Sequence, residues 1–154
     1  MTDRPHRTTL QVRFRDTDAF GHVNNAVFAT YVELARVRYL IDVLQPEQAF
    51  SRLPLILARV ELDFRSPIQF GEEVVVESAI DRIGTTSFAM SHRVMANERL
   101  AADVQSVLVT YDYDAARPIP VPDEWRRRFA AYEGRDLGAG ITDHPMPARA
   151  TAGG

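Results

Sequence analysis

Leu10, Val12 and Phe14 alternate with polar or charged residues from Thr8 to Arg15, the period-two signature of a half-buried strand. Asp16 to Val23 breaks the alternation and contains Gly21, so it reads as a loop. From Asn24 to Val43 the period changes. Phe28, Tyr31, Val32, Ala35 and Tyr39 recur at helical spacing, and Val27, Leu34, Val37 and Leu40 fill much of the remaining circumference. Thr30, Glu33 and Arg36 leave only a narrow polar stripe, so the pattern predicts a buried helix. Asn24 or Asn25 supplies its N-cap, and Pro46 closes the region.

The remainder reads mostly as strand. Leu55 to Arg65, Glu73 to Ile83, Ser87 to Met95 and Ala101 to Tyr113 are four β-type stretches, separated by short turn signals that favour antiparallel hairpins. Phe88, Met90, His92 and Val94 share one face of the third, and Val107, Val109, Tyr111 and Tyr113 one face of the fourth. After Pro118, Pro120 and Pro122, Asp123 to Tyr132 has the spacing of a short amphipathic helix. One strand, one long buried helix and four long strands predict the α+β class, with a helix wrapped by a five-stranded antiparallel sheet. Residues 1–133 form a single domain in this reading, and the Gly, Ala, Thr and Pro of 134–154 predict a poorly ordered tail. So apolar a helix exceeds what one sheet face covers, which predicts self-association as a homodimer or a dimer of dimers.

Composition narrows the chemistry. The 154 residues carry a net charge of -3, without the basic stripe of a nucleic-acid binder. There is no cysteine, which excludes a thiol nucleophile, a Cys-ligated zinc site and a disulfide framework. All 18 basic residues are Arg, so Schiff-base chemistry and a P-loop lysine are excluded. Met1 to Arg15 has no apolar leader segment, and no apolar run approaches the ~18 residues that span a membrane. A cytoplasmic protein is expected.

The densest candidate chemistry lies between the first strand and the helix. Asp16, Asp18, Gly21, His22, Asn24 and Asn25 converge where the first N–H groups of a helix lack internal acceptors. Such donors, at the positive end of the helix dipole, hold a carbonyl oxygen or a developing oxyanion. A nearby carboxylate can attack the carbonyl carbon or deprotonate water. Capping and turn formation alone would explain the same residue types, so the pattern by itself leaves both readings open.

Arg15-Asp-Thr-Asp-Ala-Phe-Gly-His-Val-Asn-Asn25, continuing to Arg36, resembles the signature of hotdog-fold acyl-CoA thioesterases, in the branch of the 4-hydroxybenzoyl-CoA thioesterases. Val60 to Val74 resembles the same family's second and third strands, and the likeness runs from about Thr9 to Asp114. It implies that Asp18 is the catalytic aspartate, acting as nucleophile or general base, and that the backbone N–H at Asn25 polarises the thioester carbonyl. Gly-His-Val-Asn-Asn departs from several aromatic-acyl members and is similar to fatty-acyl thioesterases, so an aliphatic chain and an aromatic one are both open.

The resemblance makes His22 a candidate to orient water, substrate or Asp18, against simple packing in the loop. Gly21 and Asn24 are candidates for substrate contact, and Arg65 and Arg82 for the phosphates of an acyl-CoA, beside Arg59 and Arg93. His92 reads as structural, His6 and His144 as incidental, and the histidine spacing offers no metal site. Glu33 and Arg36, at i,i+3, read as a helix ion pair. Coenzyme A would be part of the substrate, with no separate cofactor. A non-catalytic acyl-CoA sensor would need an added DNA-binding segment, which this length does not hold. An enoyl-thioester hydratase or dehydratase would use an Asp–His pair.

Overall fold

The computed structural model describes residues 5–138. The strands are β1 (His6–Gln11), β2 (Leu55–Phe64), β3 (Glu73–Ile83), β4 (Ser87–Ala96), β5 (Arg99–Asp112) and the short β6 (Arg117–Pro118). The helices are α1 (Asn25–Leu44) and α2 (Asp123–Glu133). The main sheet is antiparallel with order β1-β3-β4-β5-β2, and β6 pairs only with β5. This is the hotdog arrangement: one long helix against a curled sheet, with α2 packed beside it.

Local chemistry accounts for most boundaries. Asn24 caps α1 by accepting from the Ala26 N–H at 2.9 Å, and Gln45 ends it in the left-handed region at φ 46° before Pro46. Arg128 of α2 then donates to the Leu44 carbonyl, satisfying one orphan acceptor at the helix end. Asn97 and Glu98 both take positive φ, as a two-residue turn between β4 and β5 requires. β1 ends earlier than its alternation predicts: Phe14 lies in a 3-10 turn and is 79% exposed. The turn forms because the Asp16 carboxylate accepts from the Arg13 backbone N–H and guanidinium, which pulls the chain out of the strand.

Two apolar clusters fill the space between α1 and the sheet. One joins Phe28, Tyr31, Val32 and Ala35 to Val74, Val76, Val94 and Val104; the other joins Tyr39, Leu40, Val43 and Phe129 to Ile80, Met90 and Leu108. Each large side chain buried this way contributes roughly 1.5–3 kcal/mol. On β5 the helix side is therefore taken by Ala102, Val104 and Leu108, while the Val107–Tyr113 face points the other way. Between the clusters runs a polar row. His92 Nδ1 lies 2.8 Å from Ser78 Oγ and its Nε2 3.2 Å from Ser106 Oγ, so its structural role is evident.

As its apolar circumference predicts, α1 is not covered completely by one sheet face. Leu34 is 51% exposed and Ile41 37%, seven residues apart and so on one side of the helix. Arg36, expected on the polar stripe, is instead buried, and no ion pair joins it to Glu33 among the described residues. Burial lowers its pKa, against the opposing pull of Glu33. His6 is not incidental: it is buried, 2.9 Å from Asp42 and edge-on to Tyr39. The tail expected from Gly134 begins with packed residues. Leu137 is buried and its carbonyl accepts from the Ile83 N–H; residues 139–154, with His144, lie outside the described residues.

Candidate active site

The loop between β1 and α1 is fastened on both sides. Val23 donates to the Ile68 carbonyl at 2.7 Å and Asn24 to the Asp16 carbonyl at 2.8 Å, while isolated bridges pair Thr17 with Val23 and His22 with Gln69. Inside this frame Asp18 starts a tight turn. Its N–H donates to the His22 carbonyl, its carbonyl accepts from Gly21, and Gly21 takes φ 79°, where a side chain would be strained. The turn presents the Asp18 side chain to an open cleft of about 530 Å³ beside the start of α1.

Asp18, His22, Asn24, Asn25 and Arg65 all line this cleft, as does Phe20. Asp18 Oδ1 accepts from the Phe20 N–H at 2.9 Å, and nothing among the described residues donates to its second oxygen. The Asn25 N–H has no acceptor among the described residues, whereas its neighbours are occupied: Asn24 N–H by Asp16, Ala26 N–H by the cap, Val27 N–H by the Asn24 carbonyl. A carboxylate oxygen and a helix-start donor, both unengaged, thus share one cleft. Such a pair can act on a carbonyl group, the donor holding its oxygen and the carboxylate acting at its carbon. His22 also lines the cleft, and among the described residues no partner hydrogen-bonds its imidazole.

Asp16 has a different task. It is 2% exposed and held by Arg13 and by the Tyr31 hydroxyl. Burial pushes its carboxyl up, but the Arg13 side chain, the Arg13 backbone N–H and Tyr31 outweigh burial and hold it below the usual carboxylate range. It therefore stays charged in the wall behind the loop, not in the cleft. Gly21 shapes the turn and does not line the cleft.

Arg65 borders the cleft with its Nε 3.1 Å from Asp103. Arg82 is not brought to it: it stands next to Ile83, which packs with the C-terminal half of α1, at the opposite end of the fold. Arg59 and Arg93 pair with Glu61 and Glu77. The apolar wall comes from residues that polar motif reading passed over, Phe28 and Phe64 above all. Their signal is adjacency: Phe28 is one turn past Asn25, and Phe64 precedes Arg65. Among the described residues no group of three or more His, Asp or Glu is placed to hold a metal, and no helix is long and apolar enough to cross a membrane.

The thioesterase-like superfamily matches residues 12–129. This chain belongs to it. A solved thioesterase from Thermus thermophilus, complexed with coenzyme A and Zn, is 42% identical with a TM-score of 0.78, covering 85% of this chain and 96% of that one. A predicted thioesterase from Bacillus stearothermophilus is 28% identical with a TM-score of 0.79, covering 86% and 98%. A chloroplastic acyl-acyl carrier protein thioesterase of Arabidopsis thaliana is 28% identical over 85% of this chain and 70% of its own. The acyl-CoA thioesterase YbgC of Haemophilus influenzae is 21% identical over 84% and 97%. The chain is accordingly a thioester hydrolase of the hotdog fold.

Proposed function

We propose that this enzyme hydrolyses acyl-CoA thioesters to the free acid and CoA, with Asp18 as its reactive carboxylate. The observation that carries the proposal is the unengaged Asn25 N–H in the same cleft as the unengaged Asp18 oxygen. The thioester oxygen accepts from the Asn25 N–H, reinforced by the dipole of the 20-residue α1. The free Asp18 oxygen then adds to the carbonyl carbon or takes a proton from an attacking water. In either route the C–S bond breaks, the CoA thiolate leaves and takes up a proton, and water supplies the new oxygen of the acid. His22, which lines the cleft with no partner for its imidazole among the described residues, orients the water. Arg65 is the bordering cation that meets the substrate's phosphates, exchanging its contact with Asp103 for them.

The enzyme works as a dimer in this reading. Among the described residues β2 has a ladder partner on one side only, and Leu34, Ile41 and Leu57 stay exposed on α1 and that edge strand. A second copy covers them and extends the sheet, because an open edge and an apolar helix side are costly to leave in water.

Free thiol release from a panel of acyl-CoAs tests the activity. The wild type should release CoA, and Asp18→Asn should fold and assemble normally yet lose at least ~100-fold in kcat. Near-normal turnover by a folded Asp18→Asn protein would refute the role of Asp18. Binding without thiol release would favour a sensor, and water addition across an enoyl bond a hydratase.

A further inference from the structure

The wall of the cleft carries information about the acyl group itself. Phe28 is 2% exposed, and the ring of Phe64 meets it edge-to-face at 5.2 Å. Both line the cleft, with Val23 and Pro67 as apolar neighbours. Phe64 is the last residue of the edge strand β2, is 48% exposed and lines the cleft, so β2 and α1 each contribute one ring of the pair. Phe28 lies three residues beyond Asn25, about 4.5 Å along the helix axis. Helical side chains lean toward the N-terminus, which brings its ring closer still to the Asn25 donor.

Resting on the reading that Asn25 holds the thioester oxygen, we infer that the Phe28–Phe64 pair receives the acyl group and limits it to a compact one, with Phe64 as the residue that sets the limit. An acyl group running from the carbonyl toward Phe28 therefore meets the ring pair close to its carbonyl carbon. A short aliphatic acyl group, or a single aromatic ring completing the edge-to-face cluster, fills that space. A long chain must displace the Phe64 ring from Phe28. Phe28 is core and serves as the fixed floor. Phe64, half-exposed at a strand end, is the adjustable wall.

The experiment compares kcat/KM of the full-length protein and its Phe64→Ala and Phe64→Leu variants on benzoyl-, butyryl-, octanoyl- and hexadecanoyl-CoA. Leucine keeps an apolar side chain at the strand end should alanine fail to fold. The wild type should favour the better compact substrate over hexadecanoyl-CoA by at least about tenfold, and the smaller side chains should shrink that ratio by about tenfold, the scale of small pocket changes. The benzoyl and butyryl arms decide whether the ring or the short chain is preferred. The proposal is overturned if the wild type favours hexadecanoyl-CoA, or if both variants leave the ratio within about twofold of the wild type. Should no thioester be hydrolysed, the assignment of acyl-CoA hydrolysis fails. The same ratios taken from Kd by calorimetry then decide this inference separately, and absence of binding defeats it.

Discussion

The Tyr31 hydroxyl donates to the Asp16 carboxylate across 3.0 Å, joining the second turn of α1 to the loop that carries Asp18. Arg13 grips the same carboxylate from the strand side, so this buried acid ties β1, the loop and α1 together.

Loss of that tie should cost stability more than chemistry. Tyr31→Phe and Asp16→Asn should each lower unfolding free energy by about 1–3 kcal/mol, the range for unmaking a buried hydrogen bond. The folded Asp16→Asn protein should retain far more turnover than Asp18→Asn. Because Asp16 titrates lower folded than unfolded, its contribution is full above the ordinary carboxylate pKa and disappears as pH falls through the folded value. Urea unfolding at pH 7 and at pH 3 checks this: Asp16→Asn should narrow the gap between the two midpoints.

The donor at the helix start can be deleted without deleting the helix. Asn25 is the first helical residue, its N–H is unengaged, and Asn24 before it sits at φ -59° and ψ 137°, backbone that a following proline accepts. Asn25→Pro should fold, by circular dichroism, yet lose roughly 10²–10³-fold in kcat, as for one oxyanion donor. Asn25→Ala keeps the N–H and should lose much less. An unchanged kcat in folded Asn25→Pro would mean that the oxyanion is held elsewhere.

His92 predicts an acid weakness of the fold. Burial first, then the charge of Arg36, lowers its pKa from 6.5 to about 3, so it stays neutral between the two serines. Between those values the unfolded chain binds a proton that the folded one excludes. Stability from this group is therefore full above about pH 6.5 and falls, by up to about 1.4 kcal/mol per pH unit, as pH drops toward 3. His92→Gln should flatten the acid limb of Tm against pH. An unaltered slope would show that other groups carry it.

Self-association should appear in light scattering at micromolar concentration as a dimer or a multiple of it. Leu34→Asp places a charge on the exposed side of α1 and should shift the protein toward monomer while the isolated fold persists. A monodisperse, fully active wild-type monomer is the result that would defeat the dimer.

Information local in sequence was enough for the order of the long elements, β3 to the residue, a cap at Asn24 or Asn25, which the structure resolves to Asn24, and the loop that holds Asp18, since periodicity and capping are read over a few neighbouring residues. The same local reading could not separate the two acids of Asp-Thr-Asp by environment: only the approach of Tyr31 and Arg13 turns Asp16 into the wall and leaves Asp18 to the cleft. Arg65 and Arg82 look alike as strand cations, yet they lie at opposite ends of the sheet, because a strand long enough to span both core clusters carries its ends to different sites. Phe14 alternates like a core residue until the Asp16 carboxylate curls its turn outward, and Arg36 fits a polar stripe until packing encloses it. Phe28 and Phe64 are 36 positions apart and meet only because β2 returns along the sheet beside the start of α1. Contacts that close over such separations depend on which faces the folded chain buries together, and that was settled by the tertiary structure alone.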